Sequence, residues 1–135
     1  MRVHTFSLII GLIAFAVWLA IMYAGADHPP PWGFLWVVFL DAVAAGLAYL
    51  RIPVYLSWAR SRRSWRLFRA AGEGLLLGLV FAVFVKLLPC SGEPSIQPTL
   101  LDQVLWLVVL SAVGAFNAIA VYAVSSAARR WVRDS

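Results

Sequence analysis

Residues 7–24 contain no charged side chain. An apolar run of that length suits a lipid bilayer better than any position in a water-soluble fold. At 1.5 Å of rise per residue, a helix crosses the roughly 30 Å hydrocarbon core in about 20 residues. Three further runs repeat the pattern at about 34–52, 72–88 and 100–124, interrupted only by isolated charges such as Asp41, Lys86 and Asp102. Lipid offers no hydrogen bonds, so spans of this kind must satisfy their backbone internally, as helices do. The expectation is an all-α, polytopic membrane protein, a single domain over 1–135 with four transmembrane helices in a compact bundle. Composition points the same way. The 135 residues are 63% hydrophobic and 13% charged, an apolar excess that a soluble core of this size cannot hide.

The breaks between runs carry turn chemistry. Pro29, Pro30 and Pro31 cannot continue a helix and favour a stiff, extended link. Pro53 marks a boundary or kink after the second run, and Pro89 closes the third. Gly92, Pro94 and Pro98 mark a turn-rich connection before the fourth. The basic start and Ala24-Gly25-Ala26 resemble a secretory signal with a cleavage site, but the first run is as long as a full span and is read as a retained helix.

Charge gives the orientation. With the first helix starting inside, ten of the eleven Lys and Arg residues lie on the cytoplasmic side: Arg2, Arg51, Arg60, Arg62, Arg63, Arg66, Arg69, Arg129, Arg130 and Arg133. Only Lys86 lies toward the other face, where Asp27 and Glu93 sit. That asymmetry is the positive-inside pattern of short loops, and it implies a bacterial inner membrane with both termini cytoplasmic. The net charge of +5 stands beside apolar segments, which favours anionic headgroups over nucleic acid.

Most of this charge lies in residues 53–70, expected to form a basic amphipathic segment between the second and third helices. On a helix, Val54, Trp58, Ser61, Trp65 and Phe68 fall on one stripe, with Arg62, Arg66 and Arg69 away from its centre and Arg63 beside them. Topology alone accounts for the charge. The aromatic stripe exceeds that need and suggests a surface for lipid or a partner.

Polar groups inside the spans form the candidate site. Asp41, Lys86 and Asp102 are placed to meet in the outer half of the bundle, as a register-fixing pair or as a polar cavity for a small solute or a proton. Near the inner face, Glu73 and Asn117 are placed to face one another, with arginines available to balance Glu73. Small residues mark packing faces. Ala42 and Gly46 are spaced by four, as are Gly74 and Gly78, Ser111 and Ala115, and Gly114 and Ala118. Such spacing allows close helix approach within the chain or between chains.

No chemistry of a catalytic kind is legible. Cys90 is the only cysteine, and the two histidines, His4 and His28, fall outside the apolar runs. A disulfide within the chain and a buried bis-histidine haem are therefore not expected. No metal, cofactor or nucleophile motif is present. The expected role is non-enzymatic, binding another membrane protein or toxin within the bilayer as an accessory subunit or immunity-type inhibitor, or forming a homo-oligomer. The alternative is a small-solute or ion transporter or channel using Asp41 and Lys86.

Overall fold

A computed structural model describes residues 2–26, 28, 32–58, 63–87 and 99–132, the side chains of 63, 64 and 85–87 excepted. Within them the chain forms four helices: α1 (Val3–Gly25), α2 (Phe34–Trp58), α3 (Arg63–Leu87) and α4 (Leu100–Ala128). Each contains a stretch long and apolar enough to cross a membrane. α1 has 23 residues, about 35 Å at the helical rise, slightly more than the hydrocarbon thickness. Large apolar side chains such as Leu12, Phe39, Leu76 and Phe116 lie exposed along these helices. The surface is inverted relative to a soluble protein and fits a lipid environment.

Helix ends follow local chemistry. α1 stops where Ala26 turns extended and its N–H bonds the Tyr23 carbonyl at 3.2 Å. α4 opens on a reciprocal cap. The Thr99 hydroxyl oxygen accepts the Asp102 N–H at 3.2 Å, while the Asp102 carboxylate accepts the Thr99 N–H and O–H at 3.0 and 2.7 Å. Donors left over at a helix start are satisfied in this way.

The helices run beyond the expected spans at several ends, and residues 53–70 are divided. Pro53–Trp58 closes α2, and Arg63–Ala70 opens α3. Residues 59–62, Arg62 among them, lie outside the described residues. Pro53 lies inside α2 rather than at its boundary. A proline in a helix interior loses one backbone hydrogen bond and costs about 3 kcal/mol. Packing offsets that cost, because Ile52, Tyr55 and Leu56 around it are buried. The last turn is tied further by the Ser57 hydroxyl, which donates to the Val54 carbonyl at 2.7 Å. The Arg51 guanidinium lies 5.5 and 5.6 Å from the Tyr55 and Trp58 ring centres, within cation–π range.

The chain divides into two compact units, Met1–Arg60 with Ala123–Ser135, and Ser61–Tyr122. In the first, α1 and α2 form an antiparallel hairpin. Gly11 lies against α2, where an added Cβ would stand 3.4 Å from the Ala45 carbonyl oxygen and 3.8 Å from the Tyr49 Cβ. Near the start of α1, the Tyr49 hydroxyl stands 3.4 Å from His4 Nδ1. At the other end, the Tyr23 ring packs edge-on against Phe34, centroids 6.0 Å apart.

In the second unit, α3 and α4 cross on glycine. A Cβ on Gly74 would run into the Gly114 carbonyl oxygen and stand 2.5 Å from the Ala118 Cβ. A Cβ on Gly78 would run into the Leu110 carbonyl oxygen and stand 2.9 Å from the Ser111 Cα. A Cβ on Gly114 would run into the Gly74 carbonyl oxygen and stand 2.8 Å from the Gly78 Cα. The helices touch backbone to backbone, the close approach that small residues permit where no hydrophobic drive pulls helices together. The Gly74–Gly78 spacing is therefore used within the chain.

Candidate functional site

The expected small-residue faces separate cleanly. Gly74 and Gly78 are buried in the α3–α4 crossing, whereas Ala42 and Gly46 are exposed on α2. A Cβ added to Gly46 would meet nothing within 4 Å. The space above them belongs to an open groove of about 410 Å³ between α1 and α2. From α1 it is lined by Leu8, Gly11, Leu12 and Phe15. From α2 it is lined by Ala42, Ala45, Gly46 and Tyr49. Gly11 brings the two helices together, and the methyl side chains of Ala42 and Ala45 and the absent one at Gly46 leave the notch.

Asp41 is the next residue along. It lies in the first half of α2, one turn before Ala45, with 6% of its surface exposed. Its Oδ2 finds no hydrogen-bond partner among the described residues. The backbone at Lys86 is helical, but its side chain lies outside the described residues, as does that of Arg63. The Asp41–Lys86 pair is thus undescribed. Asp102 is exposed, and both its carboxylate contacts go to Thr99. The structure gives it a capping role at the entrance of α4.

Near the opposite end, Glu73 and Asn117 are both partly buried and flank the glycine crossing. The Asn117 amide donates to the Val113 carbonyl at 2.8 Å, within its own helix. At the start of α3 the basic residues diverge. Arg66 is buried, whereas Arg69 is exposed beside Trp65 and Phe68, each 74% exposed. An exposed aromatic pair next to arginine suits the headgroup zone. Trp58 is half-buried at the end of α2, in contact with Tyr55 and Arg51.

Three features of the site escape a search for spaced small residues. Gly11 has Phe15 four positions on, and its small partner by spacing, Ser7, lies four positions before it at the edge of the apolar run. The His4–Tyr49 contact joins residues 45 positions apart and leaves no local trace. The Thr99–Asp102 cap was legible in its own spacing, since a threonine three residues before an acid is a helix-start signal. Among the described residues no three His, Cys, Asp or Glu side chains gather as a metal site. No protein-family model matches the chain, and neither does any curated protein or solved structure.

Proposed function

We propose that this chain is a non-enzymatic protein of a bacterial inner membrane, its termini cytoplasmic, that binds another membrane protein within the bilayer. An accessory subunit or an immunity-type inhibitor acts in this way. The observation that carries the reading is the outer face of α4. α4 meets α3 through Ser111, Gly114, Ala115 and Ala118. Away from that crossing, Leu101, Leu105, Val108, Ala112 and Phe116 are exposed. Their spacing of three and four places them on one ridge, about 22 Å long at the helical rise. That length approaches the hydrocarbon thickness, and a ridge of large knobs is what a partner helix takes into its groove. Anionic headgroups at the basic cytoplasmic end complete the expected surroundings.

Purification of the tagged chain in nanodiscs, with the co-purifying chains identified by mass spectrometry, tests this. A stoichiometric membrane protein that is lost when Val108 and Ala112 are both replaced by tryptophan supports the reading. A partner that survives those replacements, or none at all, removes it.

A second reading, transport of a small solute or ion, draws on the buried Asp41 carboxylate, because ionisable groups inside a membrane are costly and often functional. Asp41→Asn and Lys86→Met variants with unchanged flux and phenotype would eliminate it.

A further inference from the structure

The groove between α1 and α2 has one polar end. Its lining runs from Leu8 to Phe15 on α1 and from Ala42 to Tyr49 on α2, about 10 Å along each axis. A groove of that length fits within one leaflet of a core about 30 Å thick. A membrane-spanning helix seated there would leave about two-thirds of its length unmatched. The lining is apolar or small throughout, save for the Tyr49 hydroxyl at the end nearest the chain's start. There Tyr49 meets His4, and both groups are at the exposed edge of the hairpin. In either tautomer one donor is left for a further acceptor: Nε2–H when the tyrosine donates to Nδ1, or the tyrosine O–H when Nδ1–H donates to it. The charge at this end is cationic: Arg2, at the cap of α1, is exposed two residues before His4, while Arg51 lies on the far face of α2 against Tyr55 and Trp58. No acidic residue of the first unit lies near this end among the described residues.

We propose that this notch is a binding site for an anionic phospholipid, one acyl chain lying over Gly11, Ala42 and Gly46 and the phosphate reached from the His4–Tyr49 end. Two physical features select this occupant. A flexible chain fills an open notch one leaflet deep without breaking protein contacts, and small residues supply the depth. An anionic headgroup meets the cationic end, where an arginine such as Arg2 near a charged membrane surface favours it by roughly 1 kcal/mol. The site thus distinguishes lipids by headgroup and holds them by a chain.

The full chain is reconstituted in nanodiscs of phosphatidylcholine doped with phosphatidylglycerol carrying a photoreactive group on one acyl chain. After illumination the labelled peptides are mapped. Label concentrated on residues 8–15 and 42–49, falling about tenfold in Gly46→Leu, a loss equivalent to about 1.4 kcal/mol, is the expected result. Ala42→Leu, filling the same space from a neighbouring position, reproduces the loss if Gly46→Leu perturbs the fold. In the His4→Leu, Tyr49→Phe double variant the acyl label stays, but its excess over an equally doped phosphatidylcholine probe disappears. Label spread evenly over all exposed helix faces overturns the proposal. So does a notch cross-linked to a polypeptide, when the same groove residues carry a protein photoprobe in native membranes. Neither result touches the α4 reading, which is scored by its own variants.

Discussion

At the scale of single residues, glycines of one chemistry have opposite roles. Gly114 lies where a methyl group would strike the backbone of α3, while Gly46 faces open space. Gly114→Ala should destabilise the fold by about 1–3 kcal/mol, the usual cost of overpacking a site that cannot relax. Gly46→Ala should be neutral or gain up to about 1 kcal/mol from helix propensity. Reversible unfolding in mixed micelles reads both, and equal effects at the two positions would sink the distinction. Composition cannot make this distinction, because a four-residue spacing says that helices can approach and not which pair does. The Gly74–Gly78 spacing was legible, and its partner Gly114 lies in one of the two small-residue pairs visible on α4. Gly11 was not legible, since the residue it meets on α2 is set by the hairpin register. Asp102 shows another limit. An acid at the start of an apolar run looks costly in lipid, yet Thr99 beside it converts the same carboxylate into a cap.

At the scale of elements, α2 shows tertiary packing overriding a local signal. Proline predicts a break from φ and the missing donor alone, and those terms are read from one residue. What keeps α2 helical to Trp58 is burial at Ile52, Tyr55 and Leu56, which depends on neighbours the local pattern does not contain. Ile52→Ala should therefore cost about 2–5 kcal/mol, as in other fully buried sites. Leu50→Ala, two residues earlier on the exposed side, should cost under about 0.5 kcal/mol. Denaturation of the two variants in the same micelles makes the comparison, and a cost at Leu50 matching that at Ile52 would mean the exposed side is itself packed. The positions of the four apolar helices were legible because a long apolar run needs no partner to be recognised. Their ends were less so. Val3–Phe6 and Pro53–Trp58 carry polar or helix-breaking residues that a span search discards, although the backbone stays helical through them.

At the scale of the whole chain, orientation is the remaining consequence of charge. The antiparallel α1–α2 hairpin sets Arg2 and His4 level with the Tyr49–Arg51 end of α2, on geometry rather than on a charge count. The α3–α4 crossing is antiparallel as well, Gly74 meeting Gly114 and Ala118 while Gly78 meets Leu110 and Ser111. The arginines of α3 therefore gather at its first turns, and Arg129 and Arg130 follow the far end of α4. Each hairpin carries its arginines at one end, with Lys86 at the other end of the second. A membrane protein inserting under the positive-inside rule leaves both such ends in the cytoplasm. The native Cys90, which lies outside the described residues, then faces the opposite compartment, as does a cysteine introduced at His28 in a Cys90→Ser background. Cysteines at Ser57 and Trp131 face inward. A membrane-impermeant maleimide applied to intact cells should modify Cys90 and His28→Cys, and should reach Ser57→Cys and Trp131→Cys only after permeabilisation. Protection of Cys90 together with reaction at position 57 would invert the whole chain. Reaction at 28 and 131 with protection at 57 and 90 would mean that one hairpin is inserted opposite to the other. The lipid and partner readings both depend on this result. The notch lies in the cytoplasmic leaflet, where anionic headgroups lie beside Arg2, only if the first hairpin inserts with its basic end inside.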